Sequence, residues 1–160
     1  MSLPVPVQGA VIVWDSVSGG AVAATGIVID GLALSAPQTN RPLITPQVSG
    51  LYLVSVYMRC TTAAAGGHKP VSTMGQVTIS FTCPDAGLPG VITLSLDDGA
   101  GNMVTTNSTN TVNSWLTGSG VINAQVGVPI TTSIGYASTG TTAMQYSLHI
   151  KCVFLGGLPE

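Results

Sequence analysis

A chain of 160 residues is enough for one domain that removes roughly 70% of its unfolded surface from water. Only 6% of it is Asp, Glu, Lys or Arg, where roughly 25% is usual, and the net charge is −2. That balance lacks the basic footprint of a nucleic-acid or anionic-membrane binder, and no apolar run approaches the roughly 18–20 residues of a membrane-spanning helix.

Helical periodicity is missing, and good helix formers are scarce, with one Glu and two Lys. Gly (20) and Pro (10) punctuate a chain rich in Thr, Val, Ser and Ile, which is an all-β composition. After a Pro-rich arm, Ser2–Gln8, the first expected strand is Ala10–Val17. Gly26–Ser35 follows, with a kink near Gly31. The loop Ala36–Pro42 leads to a short strand, Leu43–Thr45. Gly50–Thr62 alternates strictly, with Tyr52, Val54, Val56, Met58 and Cys60 on one face. Ala63–Thr73 reads as a flexible crossing. Gly75–Cys83 directs Val77, Ile79, Phe81 and Cys83 inward and Gln76, Thr78, Ser80 and Thr82 outward.

A turn rich in Pro and Gly precedes one strand, Gly90–Asp98, and Gly99–Ser114 is polar. Trp115–Val126 makes one or two strands, with Gly118-Ser119-Gly120 read as a turn, and Ile130–Ser138 makes another. The most regular segment closes the chain: Met144, Tyr146, Leu148, Ile150, Cys152 and Phe154 alternate with Gln145, Ser147, His149, Lys151 and Val153. Met144–Phe154 is long against the usual ~5–6 residues, so it is expected to lie between other strands with its apolar face closing the core. About eight to ten strands at this spacing make a sandwich or a barrel. One domain is expected over residues 10–160, behind an extended arm at residues 1–9. The opening residues lack a basic n-region and a clear apolar h-region, so a secretory signal is not expected; the chain works where it is made, or has been trimmed.

Several strands are apolar on both phases. Leu51, Leu53 and Tyr57 occupy the second face of Gly50–Thr62, and Val11, Ile12, Val13 and Trp14 are consecutive. A two-sheet sandwich needs one apolar face per strand. The surplus points to a subunit interface, or else to a thick core or a covering loop. Low charge acts in the same direction, because little repulsion opposes self-association; a neutral polar surface without a partner is the other reading.

Little in the chain supports catalysis. A nucleophile needs an oriented base, and the only histidines are His68, in a loop, and His149, on the polar phase of the last strand. There is no Gly-x-Ser-x-Gly elbow, no phosphate-binding Gly-rich motif and no zinc-type Cys or His spacing. Asp97-Asp98 point opposite ways on a strand, which suits neither general acid/base work nor glycoside hydrolysis. With Gly99–Asn102 they offer oxygen ligands for calcium, or form an Asp-Gly hairpin turn. Cys60, Cys83 and Cys152 all fall on apolar phases and read as buried small hydrophobes, one disulfide plus a free thiol being the other possibility. Asn107-Ser-Thr matches a glycosylation sequon that has no meaning without secretion. No catalytic, cofactor or metal residue is assigned, and the chain is expected not to be an enzyme.

Two stretches carry a resemblance. Thr45–Met58 (TPQVSGLYLVSVYM) is similar to the C1q/TNF-like motif in which a Pro-initiated turn ending in Gly launches a strand with alternating Tyr and apolar positions. Gly135–Gly156 (GYASTGTTAMQYSLHIKCVFLG) resembles the closing segment of C1q/TNF-like domains in virion proteins of tailed bacteriophages. Between them, Ser119–Thr131 occupies the place of an apolar strand, a Gly turn and another strand. The chain has fewer aromatics than C1q domains, and Val126-Gly127-Val128 stands where those usually carry Gly-Asp, so the animal family's calcium site and receptor role are not carried over. The resemblance implies an antiparallel jelly roll of about ten strands, a tight homotrimer, and a last strand near the three-fold axis with Gln145, Ser147, His149 and Lys151 facing a neighbour or a loop. It implies a virion structural protein, made in the host cytoplasm, that binds the major capsid protein as a capsid decoration or head fibre, with Ser2–Gln8 as a capsid-facing anchor or a disordered tail. A receptor-binding or adhesion module, with glycan among the ligands it would take, is the second reading. That reading wants exposed aromatics, whereas Trp14, Trp115 and the four Tyr mostly suit strand cores.

Overall fold

The computed structural model describes residues 10–14, 21–25, 29–85, 87–99, 102–104, 106–107 and 110–157. Its strands are β1 (Ala10–Trp14), β2 (Ala21–Thr25), β3 (Ile29–Leu34), β4 (Gln38–Ile44), β5 (Gly50–Thr62), β6 (Ser72–Cys83) and β7 (Leu88–Thr93), then β8 (Leu96–Asp97), β9 (Met103–Val104), β10 (Thr106–Asn107), β11 (Trp115–Ala124), β12 (Ile130–Ser138) and β13 (Gln145–Gly156). Among the described residues there is no helix. Every strand pairing is antiparallel. One sheet runs β3-β13-β5-β11-β8-β9. The second runs β4-β12-β6, with β7 and β10 sharing the other edge of β6. β1 and β2 form a separate hairpin that touches β13. The chain is thus an all-β sandwich of two antiparallel sheets.

Alternation builds the core. Tyr52, Val54, Val56, Met58 and Cys60 of β5 and Tyr146, Leu148, Ile150, Cys152 and Phe154 of β13 are all buried, and they meet Met74, Val77, Ile79, Ile130 and Ile134 from the other sheet. β13 lies between β3 and β5, as its long regular pattern predicts, and pairs with β5 from Gln145↔Thr62 to Gly156↔Leu51. Tyr146 is fully buried; its hydroxyl donates to the Ala36 carbonyl at 3.0 Å and its ring stacks on Tyr136 at 5.6 Å. Burial pushes its pKa up to about 12. The kink near Gly31 is a bulge, since β3 uses three residues from Leu32 to Ile29 where β13 uses two.

Several elements differ from expectation, among them β2, β9 and β10, which were not expected as strands. Gln38–Pro42 is not a loop: β4 starts at Gln38 and pairs with β12 as an edge strand, where a proline costs no ladder bond. β6 begins three residues earlier than expected, because a bulge at Gly75–Gln76 shifts the buried phase from Ser72 and Met74 to Val77 and Ile79. Phe81 and Cys83, at the far end of β6, are only half-buried. Gly90–Asp98 is not one strand: β7 pairs with β6, the Leu94 N–H donates to the Val77 carbonyl, and β8 then pairs with β11 in the opposite sheet. The Ala63–Val71 crossing is held at its start. The Asn110 side chain accepts from the Ala64 N–H and donates to the Ala64 carbonyl, both at 2.7 Å, and Ala65 pairs with Thr142.

Gly118-Ser119-Gly120 is not a turn either. It lies mid-strand in β11, opposite Val56, Ser55 and Val54. A Cβ on Gly118 would stand 2.5 Å from the Ser95 carbonyl oxygen, and one on Gly120 would stand 2.8 Å from Leu94 Cδ2. The glycines let the sheet-switching segment Leu94–Leu96 press onto β11, a close approach that a side chain would block. Asp15–Val17, residues 26–28 and the arm at residues 1–9 lie outside the described residues, as do the side chains of Val11–Trp14.

Candidate functional site

The residues that alternate away from the core of the six-stranded sheet make up its outer face, and the register places them in rows. Asp97, Thr117, Tyr57 and His149 form one row, from β8 through β11 and β5 to β13. Trp115, Arg59 and Ser147 form the next in one direction. Ser119, Ser55 and Lys151 lie in the other direction, followed by Val121, Leu53 and Val153.

The rows differ in chemistry. Val121–Leu53–Val153 is wholly apolar, and Leu51 extends it one position along β5. Val121 is 53% exposed, Leu51, Leu53 and Val153 are half-buried, and the β1–β2 hairpin is in contact with β13, the strand that carries Val153. Three rings line up further along: Tyr57 lies 6.1 Å from Trp115 and 5.8 Å from His149 between ring centroids. A shallow open cavity of about 230 Å³ sits beside them, lined by Ser55, Tyr57, Thr117, His149 and Lys151. Charge is divided across the face, with Asp97 on β8 and Arg59 and Lys151 on β5 and β13.

The outer face of the second sheet is different. Asn40, Ser133, Thr78 and Thr93 share one row and Pro42, Thr131, Ser80 and Val91 the next, with no charged side chain among them. Ser133 Oγ accepts from the Asn40 N–H at 2.9 Å, so part of this hydroxyl set is satisfied within the sheet.

Several residues singled out in the sequence fall elsewhere. His68 is exposed in the β5–β6 crossing, far from His149 in the chain and in a different part of the fold. Asp97 and Asp98 serve the β8–β9 hairpin: Asp97 Oδ1 accepts from the Gly99 N–H at 2.7 Å, and Asp98 accepts from the backbone and side chain of Asn102 at 3.4 Å. Among the described residues no three His, Cys, Asp or Glu side chains gather as metal ligands would. Asn107 lies on β10, while Ser108 and Thr109 of its sequon lie outside the described residues. Trp115 is not a core residue, as most of the aromatics were expected to be; it lies on the outer face beside Tyr57, which is 37% exposed and stands on the second face of β5, as expected. Sequence alternation placed Tyr57 on the second phase of β5, but only the β11–β5 register brings Trp115 beside it.

The three cysteines are free thiols. Cys60 and Cys152 are buried small hydrophobes, as expected, and Cys83 is half-buried near Asp85. Cys152 pairs with Val54, six residues from Cys60 on β5, which separates the two by roughly 20 Å at ~3.4 Å per residue and rules out a bond between them. Burial pushes the Cys152 pKa up to about 12 and raises that of Cys60, so neither offers thiolate at neutral pH. A thiol reagent is therefore expected to titrate one group per native chain, Cys83, and three after denaturation. Two or more fast-reacting native thiols would contradict this packing.

The sequence matches no family model and no curated protein.

Proposed function

We propose that the chain is a non-enzymatic structural protein of a bacteriophage virion, a homotrimer that decorates the capsid exterior as a cement or head-fibre protein. The apolar row Val121–Leu53–Val153 on the outer face of the six-stranded sheet carries the trimer reading. One face of an antiparallel sheet is ordinarily polar where it meets water, so an apolar row on that face calls for a partner surface. Strand order supports the same reading. A β3-β13-β5-β11 sheet facing a β4-β12-β6-β7 sheet, with every connection from β3 to β13 except β6–β7 and β8–β9 passing between them, suits the jelly roll implied by the C1q/TNF-like resemblance. The virion assignment rests on the resemblance of Gly135–Gly156.

The work of such a protein is multivalent. A trimer on a three-fold or quasi-three-fold capsid position engages several capsid subunits at once, and contacts that are weak singly add through effective concentration. The neutral hydroxylated face of the second sheet then lies away from the trimer axis, where it is free to meet the capsid or solvent. Co-sedimentation with undecorated capsid shells tests the assignment. Saturable binding in whole trimers per three-fold site is the expected result. A trimer that ignores shells but is retained by glycan would overturn decoration in favour of a receptor-binding module.

A further inference from the structure

We propose that the trimer contact is head-to-tail and is registered by an ion pair between Asp97 of one copy and Lys151 of the next, an inference that rests on the homotrimer reading above. Asp97 and Lys151 share the outer face of the six-stranded sheet, on β8 and β13. Within one chain they stand three strand spacings and a two-residue offset apart, roughly 16 Å at ~4.8 Å per strand and ~3.4 Å per residue, too far to pair. The face therefore carries its carboxylate on β8 and its cations on β5 and β13, with the apolar row next to that of Lys151 and two rows from that of Asp97. A rotation that closes a ring brings unlike patches of one surface together, so the acidic side of one copy meets the cationic side of its neighbour. In a chain with only four Lys and Arg, finding Arg59 and Lys151 on this one face makes it the place where charge sets register.

Asp97 also holds the Gly99 N–H, so the test uses Asp97→Asn, which keeps an acceptor oxygen and removes only the charge. The readout is the concentration at which half the trimer dissociates, at low salt. Asp97→Asn and Lys151→Gln should each raise it by about fivefold, and the double variant by little more than either alone. The decisive comparison is in a Lys151→Glu background, where like charges face each other. There Asp97→Asn should lower the half-dissociation concentration, the reverse of its effect on the wild type. A trimeric wild type in which Asp97→Asn acts in the same direction in both backgrounds, or has no effect in either, overturns the pairing and leaves the trimer standing. A wild type that is monomeric throughout overturns the trimer reading and the pairing with it.

Discussion

Gly118→Ala is expected to lower unfolding stability by about 2–3 kcal/mol, the upper range for overpacking, although propensity alone favours alanine over glycine in a strand. The new Cβ would lie 2.5 Å from the Ser95 carbonyl oxygen, and that contact is backbone, so relief means moving the segment that carries Leu94 and Leu96 between the two sheets. Both leucines are buried, and the displacement is felt throughout the core. Gly120→Ala is the matched comparison. Its Cβ would meet only the side-chain ends Leu94 Cδ2 and Ile92 Cδ1, at 2.8 and 3.0 Å, which can rotate away. A cost of about 1 kcal/mol or less is expected there. Urea midpoints of the two variants decide the matter. Equal midpoints, or a rise for Gly118→Ala, would mean that the sheet switch does not press on β11.

Leu53→Asp is expected to convert the proposed trimer to a monomer while leaving the fold intact. Leu53 sits at the centre of the apolar row and points away from the core, between Val121 and Val153. Covering a leucine yields about 1.5–3 kcal/mol, and an unpaired carboxylate in the same contact costs more than that gain. With one copy of the change in each interface of a closed ring, the half-dissociation concentration should rise at least about a hundredfold. Far-ultraviolet circular dichroism should remain that of a β-protein with a cooperative melt. An unchanged mass at micromolar concentration would place the subunit contact elsewhere. Loss of the cooperative melt would mean that Leu53 serves the core.

Much of the fold was legible because alternation is local. β5 and β13 show an unbroken period of two over more than ten residues, and the faces read from that pattern are the buried ones. The sheet switch was not legible, because Ile92, Leu94 and Leu96 keep the same period across it; only their pairing partners differ. Gly118-Ser119-Gly120 read as a turn because the carbonyl and side chains that demand glycine come from the sheet-switching segment, about two dozen residues earlier in the chain. Gln38–Pro42 read as a loop because an edge strand facing solvent has no apolar phase to show. The candidate face divides in the same way. Leu51, Leu53 and Tyr57 were visible as a surplus apolar phase of one strand. That Trp115, Tyr57 and His149 stand in line, or that Val121 and Val153 flank Leu53, follows from registers between strands distant in sequence, which no local pattern encodes.

The most direct test of the central claim is the solution mass of the wild-type protein, by light scattering coupled to size exclusion, with and without reductant. The outer face of the six-stranded sheet as the contact of the proposed trimer predicts three times 16.1 kDa, unchanged by reductant because the contact is non-covalent. A mass of 16.1 kDa at every concentration would contradict it, and would leave the row Val121–Leu53–Val153 without a second copy to pack against.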